Sequence, residues 1–262
     1  MLGLEGKKIL VTASTRGIGF GIAKVLLREG AIVTINGRYK KTVEEALSNL
    51  RSEFPKARVY GVNADLTVKE DVERLVNEAY KLMGGLDGVA YVTGPPKGGY
   101  FSELNDDDWN YGFKLLVMSA VWISRYSIPY LLKSKGSIVF VTSIAIREPI
   151  PSIALSNTLR IAIAGLIKSL VREYSPKGIR FNMVLPGYVL TDRLMSLAKR
   201  WSEEKGVSVD EYLKNLADKV PLKRVAKPEE IGEVVAFLLS PRASYVNGAA
   251  VPVDGGLILH VF

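Results

Sequence analysis

Residues 7–19 read Lys7-Lys8-Ile9-Leu10-Val11-Thr12-Ala13-Ser14-Thr15-Arg16-Gly17-Ile18-Gly19. The apolar run predicts a β-strand, and the small polar residues and glycines after it predict a tight turn that opens a helix. A junction of this kind binds phosphate, because unpaired backbone N–H groups and the helix dipole both face the turn. Glycines there let the backbone approach a pyrophosphate without an intervening Cβ. A tight turn without a ligand is the alternative that this stretch leaves open.

The composition predicts one globular domain in the cytoplasm. A chain of 262 residues with 48% apolar and 24% charged residues can bury a full core. The first six residues lack the apolar segment of a signal peptide, and no later run is expected to cross a membrane. The absence of glutamine and cysteine, together with abundant Lys, Arg and Glu, indicates a thermophilic source.

Several kinds of chemistry are excluded or disfavoured by residue counts. The chain has no cysteine, which excludes disulfides, thiolate catalysis and Cys-zinc sites. Its single histidine, His260, is the third residue from the C-terminus, so we expect no His-dependent triad and no metal site. The net charge of +8 is spread along the chain and mixed with acids, so we expect no nucleic-acid partner.

Apolar runs rich in β-branched residues alternate with segments of helical periodicity along the whole chain. This pattern predicts an α/β fold: a Rossmann-like, doubly wound parallel sheet of about seven strands with helices on both faces, forming a single domain over residues 1–262. The predicted strands are 7–13, 31–36, 57–62, 86–92, 137–142, 179–185 and 249–253. The predicted helices are 17–29, 41–53, 68–83, 106–133, 153–175 and 228–239. Segment 189–220 breaks the alternation with two short helices and is predicted to be a small lid over a substrate.

Two of the predicted helices are apolar nearly all the way round. They contain residues 113–126 and 153–171, whereas a helix that covers one face of a sheet needs a single apolar stripe. We expect the extra apolar face to contact another subunit. The prediction is a homo-oligomer, either a dimer or a tetramer, formed through helices 106–133 and 153–175, and deep burial within the monomer is the alternative.

The residues after the second strand bear on the choice of nucleotide. A NAD site places an acid there to hold the ribose 2′-hydroxyl. This chain has Arg38, with Lys40 and Lys41 just beyond it and Arg16 in the glycine turn. Guanidinium groups suit a 2′-phosphate, which accepts paired hydrogen bonds. The sequence therefore predicts NADP rather than NAD, and ordinary surface charges are the alternative.

Taken together, these motifs resemble the short-chain dehydrogenase/reductase family over nearly the whole chain, and in particular its members of the 3-oxoacyl-ACP reductase and sugar dehydrogenase types. Residues 12–19 are similar to TGxxxGxG with Ala13 for the first glycine, Asp65 follows the third strand, and Gly94 is the glycine of an NNAG-like segment. Residues 186–191 match PGxVxT, and residues 241–256 follow the family's C-terminal pattern. With Arg38, the resemblance implies that the cofactor is bound by Thr12, Ser14, Thr15, Arg16, Gly17, Ile18, Gly19, Arg38, Asp65, Leu66, Gly94, Arg160, Pro186, Gly187, Val189 and Thr191.

The same resemblance implies a catalytic set of Asn, Ser and Tyr-xxx-Lys, from which this chain departs. Ser143 stands at the Ser position, but Ser156 and Arg160 replace the Tyr and the Lys, and Leu116 replaces the Asn. An aliphatic hydroxyl is far less acidic than a phenol, whose pKa starts at about 10. Arg160 stays charged, so we expect it to hold a ribose hydroxyl and to add positive charge rather than to shuttle protons.

Four residues near the rim of the predicted cleft are candidates for a substitute proton donor. Tyr100 and Lys97 lie on the loop after the fourth strand, Tyr188 follows Pro186, and Arg147 follows Ser143. Each of the four is a candidate substrate residue or a surface or packing residue. Lys97, Arg147 and Arg160 together favour an anionic or carbonyl-rich substrate.

The sequence thus predicts an NADP-preferring oxidoreductase that transfers a hydride between the cofactor and a ketone or secondary alcohol of the 3-oxoacyl, sugar or keto-acid type, with a non-standard proton donor. Loss of a positioned general acid lowers a rate by about 10²–10⁴. The alternative is a catalytically degenerate NAD(P)-binding sensor or assembly subunit. A third hypothesis is a different cofactor-assisted reaction, such as an epimerisation or an elimination.

Overall fold

A computed structural model describes residues 2–259, and one parallel sheet of seven strands forms its centre. The strand order is β3-β2-β1-β4-β5-β6-β7, so all seven carboxyl ends meet at one edge. The predicted doubly wound α/β fold is confirmed, and His260 lies outside the described residues. The strands are β1 Lys8–Val11, β2 Ile32–Gly37, β3 Val59–Asn63, β4 Gly88–Tyr91, β5 Ser137–Val141, β6 Arg180–Pro186 and β7 Ala250–Val253.

Helices cover both faces of the sheet and bury an apolar core on each side. The helices are α1 Gly17–Arg28, α2 Lys40–Glu53, α3 Lys69–Met83, α4 Asp106–Phe113, α5 Ser119–Ser134, α6 Ala154–Leu159, α7 Ile161–Tyr174, α8 Asp192–Lys205, α9 Val209–Lys219 and α10 Pro228–Leu239. One core lies between the sheet and α3, α5 and α7, and the other lies between the sheet and α1, α2 and α10.

Two predicted helices are interrupted where the site is built. The helix expected at 106–133 contains a π-helical turn, Lys114–Met118, between α4 and α5. The helix expected at 153–175 divides into α6 and α7, with Arg160 at the junction. Apolar periodicity near 3.6 residues does not distinguish these local changes from a regular helix, whereas π-helical turns are frequent at functional sites.

The expectation that no segment reaches membrane-spanning length needs correction. Residues 106–134 and 154–177 are long and apolar enough to span a membrane by length and composition alone. The first begins with three aspartates and packs on the sheet, with 56% of its most apolar window buried. Only 22% of the corresponding window of the second is buried, although its inner face also packs on the sheet. Their apolar character therefore has a source in core packing, and it is not by itself evidence for a membrane.

The amino end of α10 is held by an ion pair that gives a test of stability. The Glu230 carboxylate accepts hydrogen bonds from Arg224 at 2.6 and 2.7 Å and from the Lys227 amide at 2.8 Å. Arg224 in particular lowers the pKa of Glu230 to about 2. Because both side chains are partly exposed, solvent screens the pair, and Glu230→Gln is expected to reduce the free energy of unfolding by about 1 kcal/mol at pH 7.

The sign of the pH dependence follows from the depressed pKa of Glu230. Its stabilising contribution is present above the ordinary glutamate pKa of 4.5 and is lost as the pH falls toward about 2. Denaturant unfolding of the wild type and of Glu230→Gln should therefore converge below pH 4.5. Glu45→Gln, which removes an exposed carboxylate 4.0 Å from Lys41, is the matched control and should leave stability unchanged. A difference between Glu230→Gln and the wild type that does not vary with pH would contradict this account.

Candidate active site

The candidate site lies at the carboxyl ends of β1 and β4, where the strand order of the sheet reverses. Open α/β sheets bind their ligands in this crevice. The Thr12 hydroxyl donates to the Val92 carbonyl at 2.6 Å and accepts from the Val92 amide at 2.8 Å. Thr12 is fully buried, so its side chain fixes the turn against β4.

Side chains of the protein itself hold the turn after β1. Ser14 Oγ donates to the Val11 carbonyl at 2.7 Å and accepts from the Asn36 amide at 2.9 Å. Asn36 Oδ1 in turn accepts from the Ala13 amide at 3.1 Å. Ala13 has a φ of +44°, a left-handed conformation that costs an L-residue about 1–2 kcal/mol and glycine almost nothing. This is a physical reason for glycine at the corresponding position of the motif.

The helix after the turn presents its amino end to the crevice. Arg16, which precedes α1, makes no side-chain cap, so the first N–H groups of α1 are left for a ligand. Gly17 has a φ of +56°, and a Cβ on Gly19 would lie 2.4 Å from the Ala13 carbonyl oxygen. Ile18, in the first turn of α1, is partly buried and packs against the core. The turn therefore fits a pyrophosphate, and a side chain at position 19 would destroy it.

The segment after β6 forms the opposite wall of the turn. The Gly187 amide donates to the Val253 carbonyl at 3.1 Å, and Val189 is buried. Pro186 ends β6, and Thr191 caps α8 by accepting from the Leu194 amide at 3.3 Å. The Thr191 methyl group lies 3.5 Å from the position of a Cβ on Gly17, so residues predicted to bind the cofactor from two distant segments are brought together.

Arg38 stands at the end of β2, where the sequence predicts the adenosine ribose. Its guanidinium lies 3.7 Å from Asp65 and donates to the Tyr111 hydroxyl at 3.4 Å, and about half of the side chain is exposed. Asp65 also accepts from the Thr67 amide and hydroxyl, and Leu66 is buried beside it. These contacts are long or shared, so the Arg38 guanidinium has donors left for an anionic ligand.

Arg16 and Thr15, in the turn after β1, contact α8 and the end of β2, respectively. Arg16 lies 3.6 Å from Asp192 at the start of α8, with both side chains largely exposed. The Thr15 methyl group packs where a Cβ of Gly37 would be.

The segment after β4 has open space at Gly94 and a buried hydroxyl, that of Thr93, without a hydrogen-bond partner among the described residues. A Cβ on Gly94 would meet no atom within 4 Å. The neighbouring Thr93 hydroxyl is buried and has no hydrogen-bond partner within the part of the chain that the structure describes. Open space beside an orphaned buried hydroxyl fits a bound polar ligand, because buried polar groups are normally satisfied.

The predicted catalytic residues occupy the ends of β5 and α6. Ser143 is half-buried, and its hydroxyl accepts from the Ala145 amide at 3.1 Å, which leaves its own O–H free to donate. Ser156 is buried on α6, and Arg160 is half-buried one turn later. Burial and repulsion from Arg193 lower the pKa of Arg160 to about 10, although the nearby Tyr91 opposes this shift. Arg160 therefore remains charged at neutral pH.

A buried tyrosine lies behind Arg160. The Tyr91 hydroxyl is 2.5 Å from Ser119 Oγ and within 3.4 Å of the carbonyls of Leu115 and Leu116 in the π-helical turn. Burial raises the pKa of Tyr91. Leu116, at the predicted Asn position, points its side chain into the core, where it is 1% exposed. Tyr91 is thus fixed as a neutral, buried group by Ser119 and the π-helical turn.

α8 is bonded to the loop that follows β4 and to the segment that leads into α6. The Trp201 indole donates to Ser152 Oγ at 2.6 Å, and Arg200 pairs with Glu103 at 2.8 Å. The Gly99 amide donates to the Ser152 carbonyl at 2.7 Å, so the loop also joins the segment that leads into α6. These bonds close one side of the crevice.

The four predicted substrate residues differ in their environments. Lys97 pairs with Asp108 at 2.6 Å, so its charge is compensated. Tyr100 is 44% exposed, and Arg147 is half-buried after Ser143. Tyr188 is half-buried, and burial together with the charge of Glu148 raises its pKa, which makes this phenol a weaker acid than usual.

Two other features lie away from this crevice. A cavity of about 590 Å³ opens at the amino ends of the strands, where Arg180 already donates to the carbonyls of Leu238 and Ser240. Across residues 2–259, no group of three or more acidic or histidine side chains is placed to hold a metal ion.

Comparison with known proteins identifies the family. The family model described as enoyl-(acyl carrier protein) reductase matches residues 12–258. Dehydrogenase/reductase SDR family member 4 of Homo sapiens is 35% identical over 257 residues, which cover 97% of this chain and 88% of that protein. The chain therefore belongs to the short-chain dehydrogenase/reductase family of oxidoreductases.

Two solved structures are similar over almost the whole chain. The L-sorbose reductase of Gluconobacter frateurii, complexed with NADPH and L-sorbose, is 31% identical, with a TM-score of 0.93 and 99% of both chains covered. An NADPH-bound short-chain oxidoreductase of Pseudomonas aeruginosa PAO1 that contains an atypical catalytic center is 27% identical, with a TM-score of 0.89, 99% of this chain and 100% of that chain covered.

The family prediction is confirmed, whereas the individual residue roles stay predictions. These include the match of Ser156 and Arg160 to the family's Tyr and Lys, and the match of Leu116 to its Asn. Sequence reasoning missed the parts played by Asn36, Tyr91 and Arg193. Tyr91 had a visible signal, since it stands at the first Asn of the NNAG-like segment, but nothing in the sequence marks Arg193 beyond its place after the PGxVxT-like segment.

Proposed function

We propose that this chain is an NADP(H)-dependent oxidoreductase that interconverts a carbonyl compound and a secondary alcohol. The observation that carries the proposal is the uncapped amino end of α1 at the reversal point of the sheet, with Arg38 at the end of β2. The first suits a pyrophosphate and the second a 2′-phosphate. The NADPH-bound reductase and oxidoreductase among the similar structures support the same cofactor.

The cofactor, when bound, supplies the hydride that reduces the carbonyl carbon. The protein's part is to hold the carbonyl oxygen and stabilise the negative charge that develops on it. In the proposal, the Ser143 O–H donates to that oxygen, and the Arg160 guanidinium supplies positive charge and holds a ribose hydroxyl. Ser156 provides a second hydroxyl on the same wall.

The proton that completes the alcohol is proposed to come from water rather than from a tuned phenol. Tyr188 has a raised pKa, and Tyr91 is buried with its hydroxyl engaged by Ser119. Tyr100 is 44% exposed, so water reaches the site at this loop. A cation beside the oxygen lowers the cost of transient negative charge, so a weak external donor is sufficient.

A lid and an interface between subunits also belong to the proposed function. Segment 189–220, which contains α8 and α9, acts as a lid over a small-molecule substrate. The apolar outer faces of helices 106–133 and 153–175 contact a second copy of the chain in a dimer or tetramer, and Ile161 in the second of these is 55% exposed. A cytoplasmic location and a thermophilic source stay predictions from composition.

The cofactor is tested by replacing Arg38 with serine. Losing a charge-assisted contact to the 2′-phosphate should weaken NADPH binding about 10- to 100-fold and leave NADH binding nearly unchanged. Fluorescence titration of each nucleotide against purified protein measures both affinities. Arg58→Ser, an exposed change just before the amino end of β3, removes the same charge at the opposite edge and should affect neither.

Turnover separates an enzyme from a nucleotide sensor. NADPH oxidation would be followed with sugars, 3-oxoacyl thioesters and keto acids. A rate above the buffer rate with any of them supports the proposal. Tight NADPH binding without turnover on the whole panel would favour the sensor, and equal, weak responses to NADPH and NADH would overturn the cofactor assignment.

A further inference from the structure

We infer that the substrate carries an anionic group, a carboxylate or a phosphate, and that Arg193 is the specificity residue that binds it. This inference rests on the proposed function, since it assigns the substrate class of the same crevice. It concerns the second residue of α8, which lies on the face of the crevice opposite α6.

Arg193 is directed into the crevice. Its Nη2 atom lies 3.1 Å from the position that a Cβ on Gly98 would occupy, so the guanidinium reaches from α8 to the loop after β4. The next glycine of that loop, Gly99, is bonded to Ser152 and Ala154 at the start of α6. Arg193 therefore faces the wall that carries Ser156 and Arg160. Repulsion from Arg193 contributes to the lowered pKa of Arg160, as expected for two cations that share one space.

The charge of Arg193 is uncompensated, in contrast to its neighbours. Arg200, two turns further along α8, pairs with Glu103 and Glu204, and Lys97 pairs with Asp108. Within residues 2–259, neither Arg193 nor Arg160 forms an ion pair or a side-chain hydrogen bond. Both are half-buried, and burial lowers the pKa of each.

A half-buried cation without a partner is costly, because it gives up water without gaining a counter-charge. Two such cations facing one space are stabilised when an anion enters it. The guanidinium geometry matches two oxygens of a carboxylate or phosphate at once. Arg160 is placed toward the reacting oxygen in the proposed function, which leaves Arg193 for the anionic group.

The cofactor phosphates are not the natural partner of Arg193. The amino end of α1 lies against Thr191, and Arg16 reaches Asp192 there, whereas Arg193 is turned toward Gly98 on the far side of the crevice. An experiment on protein already saturated with NADPH removes the remaining ambiguity, since the nucleotide then fills its own phosphate sites.

The test titrates oxalate and inorganic phosphate separately into NADPH-saturated protein and follows the fluorescence of the bound nucleotide. Wild-type protein should give a saturable response to at least one of them, and the comparison of the two distinguishes a carboxylate site from a phosphate site. Arg193→Met should weaken that response about 10- to 100-fold. Arg193→Lys should restore part of it. Arg172→Met, an exposed change in the last turn of α7, is the matched control.

Three results would overturn the inference: no saturable response to either anion, an unchanged response in Arg193→Met, or a parallel loss of NADPH affinity in that variant. The last result would assign Arg193 to the cofactor. Failure of the proposed function has a different signature. If no carbonyl compound is reduced while anion binding still depends on Arg193, the site stands and the oxidoreductase proposal does not.

A second arm applies once a reduced substrate is found. Oxopentanoates with the keto group at successive positions are compared with their methyl esters in NADPH oxidation. The acids should have the lower KM in wild type, and Arg193→Met should remove that advantage without changing the KM of the esters. Equal loss for acids and esters would show that Arg193 does not recognise charge.

Discussion

Replacing Gly19 with alanine is expected to abolish nucleotide binding. The added Cβ would lie 2.4 Å from the Ala13 carbonyl oxygen and 2.8 Å from the Ser14 Cα. Both are backbone atoms of a turn that Ser14 and Asn36 hold in place, so the clash is relieved only by opening the turn. We expect NADPH affinity to fall at least about 100-fold, or about 3 kcal/mol. Fluorescence titration measures the affinity, and thermal unfolding should show a lower Tm.

Two other glycines make the result interpretable. A Cβ on Gly94 meets nothing within 4 Å, so Gly94→Ala should keep the wild-type Tm while it weakens NADPH binding if the cofactor occupies that space. Gly165→Ala, in open surroundings in the interior of α7, should leave NADPH affinity unchanged and should not lower the Tm, because alanine favours a helix over glycine by about 1 kcal/mol. Wild-type NADPH affinity in Gly19→Ala would show that the turn is not the phosphate site.

Replacing Arg160 with methionine is expected to lower kcat about 10²–10³-fold on any carbonyl substrate that the wild type reduces. This is the size of the loss when one preorganised donor to a developing negative charge is removed. The fold should not suffer, because methionine fills a similar volume and removes a half-buried cation that has no ionic partner among the described residues. The expected signature is a large loss of rate with an equal or higher Tm.

The pH profile distinguishes a charged Arg160 from a merely structural one. Since the pKa of Arg160 is lowered to about 10, the group is charged below that pH and loses its proton as the pH rises through it. The wild-type rate should therefore fall above about pH 10, and the residual rate of Arg160→Met should lack this decrease. Arg172→Met serves as the control for loss of charge elsewhere. A similar kcat for Arg160→Met and the wild type would remove Arg160 from the proposed catalytic residues.

The architecture followed from the sequence because its signals are local and repeated. Apolar β-strand runs alternate with helical periodicity, and every observed strand end lies within two residues of the predicted one. The glycine turn was equally accessible, since tight turns and helix starts depend on nearby residues. The family motifs indicate that Thr191 and Gly17 lie at the same site, but the distance between them requires the structure.

The chemistry of the crevice was harder to predict from the sequence, because it depends on which charged side chains form ion pairs with residues that are distant in the chain. Lys97 was a candidate for substrate binding, yet in the structure Asp108 compensates it. Arg193 was not singled out, although it is a half-buried cation of α8 that has no ion pair in the part of the chain that the structure describes. The burial of the Tyr91 hydroxyl against a π-helical turn was equally inaccessible, because apolar periodicity does not reveal such a turn.

The hydrogen bonds within the turn after β1 separate residues that stabilise the turn from residues that select a ligand. The polar side-chain atoms of Thr12, Ser14 and Asn36 form hydrogen bonds with backbone groups of the protein. A nucleotide bound at this turn would therefore contact backbone N–H groups rather than these side chains. Substitutions at these positions report on whether the turn folds, and Ala13 shows that a strained conformer is tolerated when the surrounding bonds enforce it. In our proposals, the nucleotide and the substrate are selected outside this turn, by Arg38 and Arg193.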